Sequence, residues 1–119
     1  MIKVLVLEPN KCLGEVTKDE VESVAQSRGL NVQVDIMKKP QNIDGYDIYV
    51  IHPPSMNSFQ SISELRKRNP LADIIIRNSI FPQKSILREL DSSVNEITEK
   101  LDMSYIQRAF DRVSRSWEI

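Results

Sequence analysis

The chain has 119 residues, 40% of them hydrophobic and 28% charged, with 16 Lys and Arg against 17 Asp and Glu for a net charge of −1. That length suits a single domain, 1–119, able to bury about two-thirds of its unfolded surface without a disulfide or metal staple. The even charge argues against a protein built chiefly to neutralise nucleic-acid phosphates, and three Gly with six Pro argue against a disordered or fibrous polymer. Cys12 and His52 are the only residues of their kinds, which excludes an internal disulfide, a Cys-based zinc site and any His–His metal motif. The apolar run at the start is too short for a signal peptide, and none approaches the roughly 18 residues of a membrane span. A reducing cytoplasm is the expected address.

Val4–Leu7 is an unbroken apolar run closed by Glu8-Pro9-Asn10, which predicts a strand covered on both faces. Thr17-Lys18-Asp19-Glu20 has capping-box spacing with Thr17 as N-cap. Val21, Val24 and Ala25 then mark an apolar helix face, and Gly29 a left-handed stop. Val32, Val34 and Ile36 alternate with polar residues, the period of a half-exposed edge strand. Lys38–Asp44 contains Pro40 and reads as a loop with at most one helical turn.

Ile48–Ile51 predicts a second buried strand, ended by His52-Pro53-Pro54. Ser55–Asn69 predicts a helix with Phe59, Ile62 and Leu65 inward and a basic end, Arg66-Lys67-Arg68, that complements the helix dipole. Ile74–Ile76 is a third buried strand. Pro82 can open a helix running to about Ser92, a weak strand lies around Glu96–Glu99, and Met103, Ile106, Phe110, Val113 and Trp117 set a final helix by three-four spacing.

Alternating strands and helices imply an α/β domain: a doubly wound, five-stranded parallel sheet with right-handed crossovers. The alternating strand second in sequence belongs at an edge, giving the order 2-1-3-4-5 with the second helix short or missing. In such folds the site lies beyond the C-terminal strand ends at the switch point. That rule selects Glu8, Pro9, His52, Asn78 and Lys100 from position alone.

Asp47-Ile48-Tyr49-Val50-Ile51-His52, Leu65–Pro70 with Ile74–Ile76, and Val94–Lys100 resemble the receiver domain of two-component response regulators, a flavodoxin-like fold, over essentially the whole chain. The resemblance implies a phosphoryl-accepting carboxylate after the third strand, two acids after the first to hold Mg²⁺, a hydroxyl after the fourth and a lysine after the fifth. Cations at such a site neutralise charge building on the transferring oxygens. Here Glu8 matches one acid, Pro9 replaces the other, His52 occupies the acceptor position, Asn78 replaces the hydroxyl residue with Ser79 beside it, and Lys100 is kept. One carboxylate leaves a hard cation mostly water for ligands, so Mg²⁺ is expected to bind weakly, at Glu8 if anywhere, or not at all. The sequence resembles an aspartate-less receiver.

What it implies is a non-enzymatic interaction module in signalling or transcription regulation, binding a kinase, an effector or a second copy. The face formed by the helix before the fifth strand and the last helix would serve, with Ile80, Phe81, Tyr105 and Trp117 as its exposed apolar residues. Alternatives stay open. His52 could accept phosphate in a relay; Cys12 could do so in the manner of the sugar-transport IIB carriers, with Gly14 as the nearby cradle; the switch-point pocket could hold a small anion or nucleotide. Lys100 could pair with Glu8 across a vacated pocket. Acidic residues interleave the arginines, so a solvated face is expected rather than nucleic-acid contact.

Overall fold

In the computed structural model residues 1–52, 59–77, 93–98 and 103–117 are described. Ile2–Leu7 forms β1, Val32–Met37 β2, Ile48–Ile51 β3, Asp73–Arg77 β4 and Glu96–Thr98 β5. All neighbours pair in parallel, in the order β2-β1-β3-β4-β5. Among the described residues three helices accompany them: α1 (Lys11–Ser27), α2 (Phe59–Arg68) and α3 (Ser104–Trp117). The order and the edge position of β2 are those expected from the alternation of its residues.

The interior strands share unbroken apolar runs, Val4–Leu7, Ile48–Ile51 and Ile74–Ile76, because both faces are covered there. On one face Val4, Val6, Ile48, Val50 and Ile75 pack against Val21, Val24 and Ala25 of α1 and Ile106, Ala109, Phe110 and Val113 of α3. On the other Leu5, Leu7, Tyr49, Ile51, Ile74 and Ile76 meet Ile62 and Leu65 of α2. The side chain of Phe59 lies outside the described residues, as do the segment before α2 and the helix expected at 82–92.

No helix joins β2 to β3. Residues 38–47 cover the sheet as irregular chain, with Ile43 buried in the α2-side core. Left-handed backbone at Asn42 (φ 52°) and Gly45 (φ 91°) turns the segment back on itself. Side chains then pin it: Tyr49 Oη donates to the Ile43 carbonyl, Tyr46 Oη to Asp35 Oδ2 at 2.6 Å, and Gly45 N–H to Asn69 Oδ1 at 3.0 Å. Asp44 Oδ1 accepts from Arg68 Nε at 2.9 Å and Asn69 Nδ2 at 3.0 Å.

Three expectations are corrected. The cap of α1 is Asn10, whose side chain accepts from Leu13 N at 3.1 Å; Thr17 is interior and buried, its hydroxyl donating to the Leu13 carbonyl at 2.8 Å. The capping-box pattern is satisfied by chance seven residues downstream of the true start. Tyr105, expected on an exposed face, is fully buried, because the inward stripe of α3 is broad and runs 105, 106, 109, 110, 113. Met103 precedes the helix and is exposed rather than inward.

The basic run 66–68 is not simply a solvated end. Arg66 donates to the carbonyls of Ser93, Asn69, Pro70 and Ala72 and to Asn95 Oδ1, at 2.6–3.2 Å. One guanidinium thereby closes the turn after α2 and anchors the approach to β5, and its burial holds its pKa below the usual arginine value.

Candidate functional site

The parallel ladder continues one residue past β1 and β3. Glu8 N–H donates to the Met37 carbonyl and His52 N–H to the Leu7 carbonyl, both at 2.9 Å. These bonds hold the Glu8 and His52 backbones side by side at the switch point between β1 and β3. Glu8 follows Val4 and Val6 at period two, so its side chain lies on the α1 face. There Gly14 lets the helix come close. A methyl group on Gly14 would stand 2.9 Å from Ile36 Cγ2 and 3.7 Å from Glu8 Cβ. Gly14 is therefore a packing glycine over the end of β1, not a phosphate cradle.

Under that roof the Glu8 side chain is 6% exposed, and its Oε2 lies 2.9 Å from Nδ1 of His52, whose side chain is 20% exposed. The same oxygen stands 3.5 Å from the Asn10 amide. A carboxylate can only accept, so Nδ1–H is the donor, which places the lone pair of a neutral imidazole on Nε2. The pair can orient an imidazole; it offers a hard cation little, since Glu8 is the one carboxylate at these two strand ends.

Of the other residues expected here, Pro9 is exposed and brings no side-chain ligand, and Cys12 is exposed in the first turn of α1. Asn78, Ser79, Ile80, Phe81, Lys100 and the side chain of Trp117 lie outside the described residues, and so does any Glu8–Lys100 pair.

Sequence reasoning missed Arg77 at the end of β4. Its guanidinium donates to Thr17 Oγ1 of α1 and stands 5.9 Å from the centre of the Tyr105 ring of α3, so one cation ties two helices to the strand end. A charged residue directly after Ile74–Ile76 was the available signal. Four more arginines are paired: Arg108 with Glu96, Arg112 with Asp73 and Glu96, Arg28 with Asp111, Arg68 with Asp44.

No family model and no curated protein matches the chain. Solved structures do. A Francisella response-regulator receiver domain superposes with a TM-score of 0.71 at 19% identity, covering 98% of this chain and 99% of that one. An orphan response regulator of H. pylori gives 0.69 at 13%, covering 94% and 96%. The chain has the receiver fold. A pilus assembly-related protein from Burkholderia pseudomallei is also similar, with a TM-score of 0.74 at 15% identity and coverage of 97% and 90%, so this fold is not confined to proteins described as response regulators. No described helix is long and apolar enough to cross a membrane.

Proposed function

We propose that the chain is an aspartate-less receiver that acts as a protein-interaction module in signalling or transcription regulation without accepting phosphate. The observation that carries this reading is the Glu8–His52 contact of 2.9 Å. The acceptor position after β3 holds an imidazole, and the one carboxylate beside it is buried and engaged by that imidazole instead of being open to a metal. Mg²⁺ then has no cage of oxygens at these strand ends, and would bind weakly. The partner is a protein, a kinase or effector or a second copy. The internal pairing of Arg28, Arg68, Arg108 and Arg112 supports a protein rather than a nucleic acid, since phosphate binding draws on unneutralised cations. The expected contact surface includes Ile80, Phe81 and Trp117.

The test is intact-mass measurement after incubation with acetyl phosphate and Mg²⁺. The reading expects no phosphate adduct. An acid-labile adduct lost in His52→Ala would establish a second reading, a relay protein phosphorylated on His52, which the buried carboxylate at Nδ1 favours by setting the tautomer with a nucleophilic Nε2. Capture from native cells with the wild type beside Phe81→Asp then identifies the partner; the reading expects a signalling protein lost with the variant.

A further inference from the structure

The edge strand β2 carries a second surface. Its inner side is bonded to β1 in the register Ile2↔Val32 through Leu7↔Met37. The Asn31 carbonyl accepts from Ile2 N–H and the Met37 carbonyl from Glu8 N–H, so the odd-numbered residues face β1. Val32, Val34 and Ile36 therefore turn their N–H and C=O groups outward, and among the described residues no strand pairs with them. Of the usual guards of an exposed edge the strand itself has the charge of Asp35 alone, and that carboxylate is engaged by Tyr46 Oη. Val32–Met37 contains no proline and no lysine, and its ladder to β1 runs without a bulge.

Three outward residues spaced by two are self-complementary under a two-fold axis. Antiparallel pairing with Val34 opposite Val34 sets Val32 opposite Ile36, and every outward donor meets an acceptor. In the same register Gln33 stands opposite Asp35, an amide against a carboxylate at cross-strand distance. Within one chain Gln33 Nε2 already reaches Asp35 Oδ2 at 3.3 Å, so the chemistry of that contact is compatible. Val32 and Ile36, half-buried on the α1 face, would be covered further.

The flank of α1 agrees. Lys18 and Glu22 follow Gly14, which abuts Ile36, at intervals of four, so all three share the side of the helix nearest β2. Lys18 and Glu22 pair with each other at 3.8 Å and are about half exposed. A two-fold partner running the opposite way offers Glu22 to Lys18 and Lys18 to Glu22.

We infer that β2 is a self-association edge, at which two copies join antiparallel through Val32, Val34 and Ile36 into one continuous sheet. This stands apart from the functional reading above, because it involves neither the strand-end pair nor the surface around Phe81.

Sedimentation equilibrium of the full chain, from micromolar to millimolar concentration, tests it. The wild type is expected to dimerise with concentration. Gln33→Glu sets like charges opposite each other twice per dimer and should weaken association about tenfold, whereas Gln33→Lys should tighten it several-fold. Val32→Pro removes an outward N–H at the first residue of an edge strand, where proline is tolerated, and should abolish the dimer with the circular-dichroism spectrum retained. If that variant misfolds, the opposed Gln33 variants decide. A chain monomeric over the whole range, or a dimer whose Kd responds to neither Gln33 substitution, overturns the inference.

Discussion

Where the strands begin, charge is plentiful and paired. Lys3 N–H donates to Asp47 Oδ2 at 2.9 Å, Asp73 takes two bonds from Arg112 at 2.5 and 2.9 Å, and Glu96 receives Arg108 and Arg112. Arg66 satisfies the turn beneath them. Where the strands end, β1 and β3 present Glu8 and His52 among the described residues, and Arg77 at the end of β4 is turned inward to Thr17. Among the described residues the acids with two arginine bonds, Asp73 and Glu96, sit at the first end. The contrast separates two uses of charge. Bidentate, buried pairs hold the termini of strands and helices together, whereas chemistry at a strand end needs groups left available to a ligand.

Substitutions at the two ends can break or sharpen that contrast. The largest effect is expected from Arg112→Met, about 3 kcal/mol in urea unfolding, because Asp73 is 3% exposed and would keep a buried charge without its bidentate partner. A loss like that of a surface pair would erase the distinction between the ends. Gly14→Val is next, at about 2 kcal/mol, since the added carbons drive into Ile36 and the roof over Glu8. His52→Ala should cost about 1 kcal/mol, one hydrogen bond with the carboxylate left partly buried. Its amide NMR shifts should cluster around residues 8–14 and 52; shifts spreading to the strand beginnings would show the ends to be coupled.

The smallest effect depends on pH. The hydrogen bond to Asp35 pushes the Tyr46 hydroxyl up to about 12 from 10.0, so the folded protein keeps a proton that the unfolded chain gives up. The resulting stabilisation is complete below pH 10 and lost as the pH rises toward 12. The stability difference between wild type and Tyr46→Phe, at most about 1 kcal/mol near neutrality, should therefore close across that window. A difference constant to the top of it would remove Asp35 as the cause.

The architecture was legible because it is written in local patterns. Unbroken runs at Val4–Leu7, Ile48–Ile51 and Ile74–Ile76 can only be strands covered on both sides, and the alternation of Val32, Val34 and Ile36 marks an edge. At the site, sequence position found Glu8 and His52 but not their contact, which depends on two ladders extending one residue past β1 and β3. Arg66 was beyond reach for a similar reason. Its five acceptors come from two turns up to 29 residues away, and nothing in Arg66-Lys67-Arg68 tells the half-buried guanidinium from its exposed neighbours. Thr17 misled because a capping-box spacing is common, and because Gly14, a poor helix former, makes the true first turn look broken until its close approach to Ile36 is seen.

The irregular connection between Met37 and Ile48 bears on how the chain reaches this state. A parallel crossover is normally a dozen residues or more with a helix inside; here residues 38–47 complete it. Bringing the ends of a shorter connection together costs less chain entropy, and no helix must nucleate before β3 can dock beside β1. Even so, the pairs Ile2↔Val32 and Val4↔Ile48 lie further apart in sequence than Ile48↔Asp73 and Ile75↔Glu96, so the half-sheet β3-β4-β5 is the low-contact-order part of the molecule, the natural place for folding to begin. Refolding rates should fall when Tyr49 or Ile75 is truncated, whereas truncating Val34 of the edge strand β2 should mainly hasten unfolding.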